Sequence, residues 1–298
     1  MSYHNPVLLQ ESVDALAIKP DGIYVDVTFG GGGHSRAILS RLGPNGKLFA
    51  FDQDPDAWEN RIEDDRFVLI AENFRHISRF LKFYRIPKVD GVLADLGVSS
   101  HQFDAAERGF STRFDADLDM RMDQKSNLSA KKIINKYPEE MLADILFLYG
   151  ELRNARALAK TIVEARELEE ITTSFQLKNV LKKHLPTAKE HKILAQIFQA
   201  VRIEVNQELE VLKEFLEQLP ELLNEEGRLS IISYHSLEDR LVKRFIQTGL
   251  FSGEPEKDFY GNIAVPLKKV GKLMVPSSAE IKQNNRARSA KLRIATLK

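Results

Sequence analysis

A run of glycines between a predicted strand and a predicted helix constrains the fold of this chain more than any other feature. Residues 24–34 read YVDVTFGGGGH, with apolar residues leading into Asp26 and four consecutive glycines from Gly30 to Gly33. A helical pattern begins at Ser35, so the segment predicts a buried strand, a tight turn and a helix start. Because glycine lacks Cβ and accepts positive φ, it lets main chain approach a ligand closely. We therefore expect a ligand site at the carboxyl end of this strand.

The remaining pattern predicts an α/β fold. Strands are predicted at residues 23–27, 47–51, 67–70 and 89–94, with a helical pattern after each, which is typical of a parallel, doubly wound sheet. The next strand is predicted only at residues 228–234, which leaves 132 residues after Asp95. A crossover needs only about a dozen residues. The excess predicts an inserted helical domain, including one long helix from about Lys189 to Leu219.

Composition excludes several classes of function. Lys+Arg 43 balance Asp+Glu 43, so a nucleic-acid partner has to be met by local basic patches. The absence of cysteine excludes disulfides, thiolate metal sites and a cysteine nucleophile. The acids Asp115, Asp117 and Asp119 are interleaved with Arg113 and Arg121, which predicts a charge-paired loop rather than a metal site. No apolar run approaches a membrane span and no secretory pattern is found, so we expect a cytoplasmic protein that does not use a membrane.

The residues around the glycines favour one class of cofactor. A dinucleotide fingerprint needs a third glycine where this chain has Ser35 or Arg36, and a phosphate-binding loop needs a lysine that Gly33-His34-Ser35 lacks. Asp52 ends the second predicted strand, where a carboxylate can accept both hydroxyls of a ribose. Adenosine without a pyrophosphate fits S-adenosylmethionine. Asp26 has two readings: it holds the amino group of that ligand, or it anchors the glycine turn.

Seven motifs, in order along nearly the whole chain, resemble the bacterial small-subunit rRNA (cytosine-N4) methyltransferase family, RsmH or MraW. They are residues 4–9 (HNPVLL), 90–102 (DGVLADLGVSSHQ), 108–111 (RGFS), 118–123 (LDMRMD), 198–203 (FQAVRI), 232–240 (ISYHSLEDR) and 286–293 (RARSAKLR). The resemblance implies a Rossmann-like class I methyltransferase that uses S-adenosylmethionine to methylate N4 of a decoding-centre cytidine in 16S rRNA. It further implies a methyltransferase domain at residues 1–107 and 205–298, with a helical substrate-recognition domain at 108–204.

The resemblance also places the cofactor contacts on particular residues. They are Gly32, Gly33, His34, Asp52, Phe74, Asp95 and Gln102. The partner it implies is 16S rRNA in the small ribosomal subunit, and the sequence leaves room for a homodimer. Two other functions stay open at this point: methyl transfer to another nucleic acid or a small amine, and a ribosome-assembly factor that keeps the fold without turnover.

The chemistry of cytosine N4 points to Asp95. The amine lone pair is delocalised into the ring, so acceptors aimed at its hydrogens localise the pair and direct it at the methyl group. DNA amino-methyltransferases carry a proline pair and an aromatic residue here, whereas this chain has Asp95-Leu-Gly-Val98. Tyr234 and His235 are therefore candidates to stack on the base. Their structural alternatives are packing for Tyr234 and shaping of the following turn for His235, and Ser236 is predicted to cap a helix.

The last residues of the sequence form a basic segment without acidic residues. Residues 282–298 contain six Lys or Arg and no acid, and we expect Arg286, Arg288 and Arg293 to bind RNA. The target base has to be unstacked to reach the methyl group. A 5-methylcytosine product is excluded, because that route needs a cysteine adduct.

Overall fold

A single seven-stranded sheet forms the main scaffold of the protein. The structure is a computed structural model, which describes residues 6–261 and 263–298, without the side chains of Ser100 and Ala106. His4 and Asn5 of the first family motif lie outside the described residues. The strands are β1 (Ile23–Asp26), β2 (Lys47–Phe51), β3 (Phe67–Ile70), β4 (Val89–Asp95), β5 (Leu223–Ser233), β6 (Leu267–Met274) and β7 (Lys291–Leu297). They lie in the order β3-β2-β1-β4-β5-β7-β6, which confirms the predicted α/β class with a Rossmann-like sheet.

The direction of the strands brings three acids to one edge. β1 to β5 are parallel to one another, and β7 is antiparallel to both β5 and β6. β1 and β4 are almost wholly buried, as expected for strands covered on both faces. Asp26 and Asp95 therefore end adjacent strands, and Asp52 follows β2 directly, so all three acids lie at the carboxyl edge of the sheet.

Twelve α-helices are found in the described part of the chain, joined in places by short 3₁₀ turns. They are α1 (Leu9–Asp14), α2 (Gly33–Leu39), α3 (Ile77–Phe83), α4 (Ser100–Asp104), α5 (Ala130–Lys136), α6 (Glu139–Leu148), α7 (Ala155–Arg166), α8 (Ser174–Val180), α9 (Glu190–Asn206), α10 (Glu208–Leu222), α11 (Ser236–Thr248) and α12 (Ser278–Gln283). None of the helices described is long and apolar enough to cross a bilayer.

The chain forms two compact units. One contains the residues up to Gly97 together with Leu209–Lys298, and the other is Val98–Glu208. The first unit holds the sheet and several apolar clusters, the largest of which includes Phe51, Leu81 and Phe215. The second unit is helical around its own buried cluster, which includes Ile133, Leu158 and Ile197. This second unit extends beyond the predicted insertion, residues 108–204, at both ends.

One prediction about the helices is wrong. The long helix expected from about Lys189 to Leu219 is two helices, α9 and α10, because Gln207 between them adopts φ 50°. The arrangement is held by Arg202, whose guanidinium donates to both carboxylate oxygens of Glu208 at 2.8 Å. Apolar periodicity continues through both helices, so it could not reveal a single left-handed residue between them.

Candidate active site

The glycine turn joins β1 to α2, as its sequence predicts. Gly32 precedes the helix at φ 75°, and a Cβ there would lie 2.7 Å from Nη1 of Arg36. A Cβ on Gly33 would collide with the ring of Pro6. The chain itself thus requires glycine at both positions, and close approach of a ligand is not needed to explain them.

The turn is held from outside by two side chains that the sequence did not suggest. Arg36 donates to the carbonyl of Gly31 at 2.6 Å and to the carbonyl of Asn60 at 3.1 Å. The Asn60 amide donates in turn to the carbonyl of Gly30 at 3.1 Å. Arg36 lies three residues after the last glycine, within reach of the turn, but nothing in the sequence links Asn60 to a turn so far upstream.

Asp52 fixes the other side of the turn. Its Oδ2 accepts from the Gly30 amide at 2.7 Å and its Oδ1 from the Asp54 amide at 2.9 Å. Burial raises the pKa of Asp52 to about 6, although these two amide hydrogen bonds lower it. Each carboxylate oxygen keeps a second lone pair. Asp52 can therefore still accept a pair of ligand hydroxyls at neutral pH, where it is ionised.

Asp26 is fully buried and engaged within the protein. Its Oδ2 accepts from the Ser35 hydroxyl at 2.7 Å, and its Oδ1 accepts from the Thr28 amide at 3.1 Å. Burial raises the pKa of Asp26. These bonds correspond to the anchoring alternative, since they tie β1 to the first turn of α2. A direct contact of Asp26 with the cofactor stays a prediction.

Asp95 lies at the centre of a hydrogen-bonded group at the carboxyl end of β4. Its Oδ1 accepts from the Tyr234 hydroxyl at 2.7 Å, and its Oδ2 lies 3.8 Å from Nδ1 of His34. Its amide donates to the hydroxyl of Thr28 at 2.7 Å. Three segments therefore surround Asp95: the loop after β1 at Thr28, α2 at His34, and the residue after β5 at Tyr234. Thr28 lies inside the glycine motif, but its sequence gives no sign of this role.

The electrostatics of this group follow from burial. Burial raises the pKa of Asp95 to about 6, against the lowering effect of His34 and of the Tyr234 hydrogen bond. Burial likewise lowers the pKa of His34, despite the nearby carboxylate. It raises the pKa of Tyr234 well above its usual value, with Asp95 adding to the effect. At neutral pH the group is thus an anionic Asp95, a neutral His34 and a protonated Tyr234 that donates.

One ring nitrogen of His34 is unpaired in the described chain. Its Nε2 is buried and has no hydrogen-bond partner among the residues that the structure describes. An unpaired buried nitrogen has a cost in free energy, so such atoms often mark a place where a ligand binds. The site can therefore offer Asp52 to ribose hydroxyls and the His34 nitrogen to a polar group nearer the reaction centre. These donors and acceptors suit a nucleoside with a polar, amino-acid-like tail.

His235 caps α11, which makes the prediction for Ser236 wrong. The Nδ1 of His235 accepts from the Glu238 amide at 3.4 Å, and Ser236 is already the first residue of the helix. Glu238 is 2% exposed and accepts from the Tyr234 amide at 2.9 Å. Serine is a preferred N-cap residue and histidine is not, which is why the sequence predicts Ser236. The geometry corresponds to the turn-shaping alternative, and a catalytic role for His235 stays a prediction.

The remaining predicted contacts are spread over the chain. Phe74 is partly buried and packs edge-on against Phe215, with ring centroids 5.2 Å apart. Gln102 belongs to the helical unit, where its side chain completes the capping box of α4 with Ser99. Their roles toward the cofactor stay predictions.

The three arginines predicted to bind RNA differ in exposure. Arg288 is exposed and Arg286 is partly buried. Arg293 donates to both oxygens of Asp239, at 2.7 and 3.2 Å. Burial acts to raise the pKa of Asp239, but the hydrogen bonds and charges of Arg293 and Lys291 outweigh burial and lower that pKa. Of the three, Arg288 is therefore the best placed to reach a phosphate.

One acid and one arginine of the loop predicted to be charge-paired do form an ion pair. Arg121 donates to Asp119 Oδ1 at 2.7 Å and Oδ2 at 2.8 Å. The charge-paired loop expected between residues 113 and 121 is confirmed for this pair.

Comparison with known proteins identifies the family. The family model described as the MraW methylase family matches residues 1–298. The chain belongs to the MraW methylase family. Similar curated proteins are named ribosomal RNA small subunit methyltransferase H. That of Flavobacterium johnsoniae is 68% identical, covering 99% of this chain and 98% of the relative. That of Christiangramia forsetii is 69% identical with the same coverage, and that of Bacteroides thetaiotaomicron is 54% identical, covering 100% of this chain and 98% of the relative.

Solved structures resemble the chain only distantly. An rRNA methylase from Streptococcus thermophilus is 13% identical with a TM-score of 0.44, over 100% of this chain and 98% of that one. A likeness at this level carries no argument about the site.

Membership of the MraW family makes this chain a methyltransferase with S-adenosylmethionine as its methyl donor. The predicted cofactor is confirmed. The residues at the carboxyl edge of the sheet suit that donor. Asp52 has free lone pairs for a ribose, and His34 has an unpaired nitrogen.

Proposed function

We propose that the chain methylates N4 of a decoding-centre cytidine in 16S rRNA of the small ribosomal subunit. The curated relatives at 54–69% identity are named for methylation of small-subunit rRNA. The choice of cytosine N4 is supported by the acceptor group at the carboxyl end of β4. The single observation that carries the proposal is the Asp95 carboxylate, partly buried and held by the Tyr234 hydroxyl at 2.7 Å.

The donor supplies an electrophilic methyl group on a sulfonium sulfur. The protein has to make the lone pair of the substrate's N4 amine available and direct it at this methyl group. An ionised Asp95 accepts a hydrogen bond from N4–H, which weakens conjugation of the lone pair with the ring. The amine is neutral before transfer, so the product needs to lose one proton, and an ionised carboxylate with a pKa of about 6 can receive it and release it to solvent.

The neighbours of Asp95 keep its free lone pairs directed at the substrate. Tyr234 occupies one lone pair of Oδ1, and Thr28 fixes the main chain through the Asp95 amide at 2.7 Å. Because both partners are themselves positioned by the sheet, the carboxylate cannot rotate freely. Positioning of this kind is a large part of the rate enhancement for a poor nucleophile. Tyr234 is thus a positioning residue, and stacking on the base is a second role that its ring is proposed to have.

The function is tested by mapping the product. The purified protein is incubated with labelled S-adenosylmethionine and small ribosomal subunits that lack the modification, and the rRNA is digested to nucleosides. We expect label in N4-methylcytidine, and nuclease fragments of the same rRNA should place it at a single decoding-centre nucleotide. Label in another nucleoside would support a methyltransferase of different specificity. No label with intact cofactor binding would favour an assembly factor without turnover.

We predict that Tyr234→Phe moves the acidic limb of the pH profile of kcat to higher pH. The limb should lie near pH 6 in the unmodified protein, because Asp95 has to be ionised to accept the N4 hydrogen. The Tyr234 hydrogen bond lowers the pKa of Asp95, so its removal raises that pKa and leaves less ionised carboxylate at a given pH. The measurement is kcat against pH at saturating cofactor and RNA.

Tyr24→Phe is the matched control for this change. Tyr24 is fully buried on β1, and its hydroxyl accepts from the Lys19 amide at 2.7 Å, with no bond to Asp95. Its pH profile should stay that of the unmodified protein. An unshifted limb in Tyr234→Phe would mean that the hydrogen bond to Asp95 has no part in catalysis.

A further inference from the structure

A groove between α11 and the edge of the sheet is lined by cationic side chains. Lys243 comes from α11, Lys269 and Lys272 from β6, and Arg293 from β7. Apolar residues that include Ile246 and Val270 complete the lining, which contains no carboxylate among the residues described. The groove has no part in the site around Asp95.

The three lysines carry charge that is not neutralised. Lys243, Lys269 and Lys272 are exposed, and within the described chain none of them has a carboxylate at ion-pair distance. Arg293 differs, because Asp239 holds it at 2.7 Å. Lysine is common on edge strands, where it prevents pairing between molecules. That role explains Lys269 and Lys272 on β6, but it does not explain a third lysine on the facing helix.

The register of the sheet shows where the groove lies relative to Asp95. Val270 pairs with Ile294, Ile294 pairs with Ser230, and Ser230 pairs with Leu93. Along the strand direction, Val270 in the groove is therefore in register with Leu93, two residues before the end of β4. β6 is three strands away from β4, which is roughly 14 Å at the usual strand spacing. A short single-stranded segment can span that distance.

We propose that this groove binds the phosphate backbone of the RNA substrate next to the target cytidine. The inference rests on the proposed function, and it adds three lysines to the arginines considered above, of which Arg293 itself lines the groove. Three unpaired lysines attract phosphates, and the apolar lining offers a surface to a sugar or an unstacked base. Single-stranded RNA is recognised by this combination of positive charge and apolar surface.

The test compares two triple variants of equal charge. One replaces Lys243, Lys269 and Lys272 with glutamine. The matched control replaces Lys82, Lys88 and Lys268, which are also exposed lysines but do not line the groove. Binding to a 16S rRNA transcript is measured between about 50 and 200 mM salt.

We expect the groove variant to bind the transcript at least tenfold more weakly at low salt. The slope of log K against log salt should become shallower by roughly 2, since each single-strand phosphate contact contributes about 0.7. The control should keep the slope of the unmodified protein. Cofactor affinity and kcat at saturating RNA should be unchanged in both variants, because neither set of lysines belongs to the site at Asp95.

The outcomes separate this inference from the proposed function. If the groove variant and the control show the same slope while the unmodified protein still forms N4-methylcytidine, the groove does not bind RNA and the proposed function stands. If the groove variant binds the bare transcript normally but binds intact small subunits weakly, the groove contacts a ribosomal protein and the inference is overturned. Failure of the unmodified protein to label cytidine would instead reject the proposed function.

Discussion

Replacing Asp95 with alanine is expected to lower kcat by about 10³-fold, the largest effect that the structure predicts for one side chain. The carboxylate is the acceptor that the N4 amine needs, and its two neighbours, Tyr234 and His34, cannot replace it. Burial keeps Tyr234 protonated by raising its pKa and keeps His34 neutral by lowering its pKa, so neither supplies an anionic acceptor. Cofactor affinity should change far less than kcat. The measurement is single-turnover methyl transfer with saturating cofactor and RNA.

Stability gives this prediction a second, independent readout. The pKa of Asp95 is raised to about 6 in the folded protein, so folding disfavours its ionised form above the unfolded pKa. The penalty is absent in strong acid and grows as the pH rises through the interval between the unfolded and folded pKa values. At pH 7 to 8 the neutral variant Asp95→Asn should therefore melt at or above the temperature of the unmodified protein, while transferring methyl poorly.

Asp90 provides the matched control on the same strand. It lies toward the opposite end of β4 and accepts from the Ile23 amide at 2.9 Å and from the Asn224 amide at 3.2 Å. Asp90→Asn should lose stability, because these bonds weaken, and keep kcat. If Asp95→Ala transferred methyl at the unmodified rate, Asp95 would have no place in the mechanism.

The fold could largely be predicted because periodicity and turn chemistry agreed at most positions. The apolar runs placed β1 to β4 within a residue of their observed ends, and the long gap before β5 revealed the helical insertion. Helix boundaries were less certain, since a left-handed residue such as Gln207 leaves no trace in an apolar pattern.

The candidate site was predictable only where a residue ends a strand. Asp52 and Asp95 could be found that way, because the carboxyl ends of parallel strands meet at one edge. Asn60 and Thr28 could not, since their importance depends on which main-chain groups they reach in three dimensions. His235 shows that a sequence motif can also suggest a role in catalysis for a residue that the structure uses as a helix cap.

Asp52→Ala is expected to raise the dissociation constant for S-adenosylmethionine by about 100-fold. Each hydrogen bond to a charged group contributes about 1.5–3 kcal/mol. If the two ribose hydroxyls together contribute about 3 kcal/mol to the binding free energy, their loss corresponds to about 100-fold in affinity. Because the pKa of Asp52 is about 6, cofactor affinity of the unmodified protein should also fall below that pH. Calorimetry with S-adenosylhomocysteine measures both effects without turnover.

A binding cycle with the 2′-deoxy form of S-adenosylhomocysteine separates ribose contact from damage to the glycine turn. Asp52 also accepts from the Gly30 amide at 2.7 Å, so its loss could weaken binding simply by loosening the turn. In the unmodified protein, removal of the 2′-hydroxyl should cost about tenfold in affinity. In Asp52→Ala the same removal should cost little, because the acceptor is already gone. Equal losses in both proteins would show that Asp52 supports the turn and does not bind the sugar.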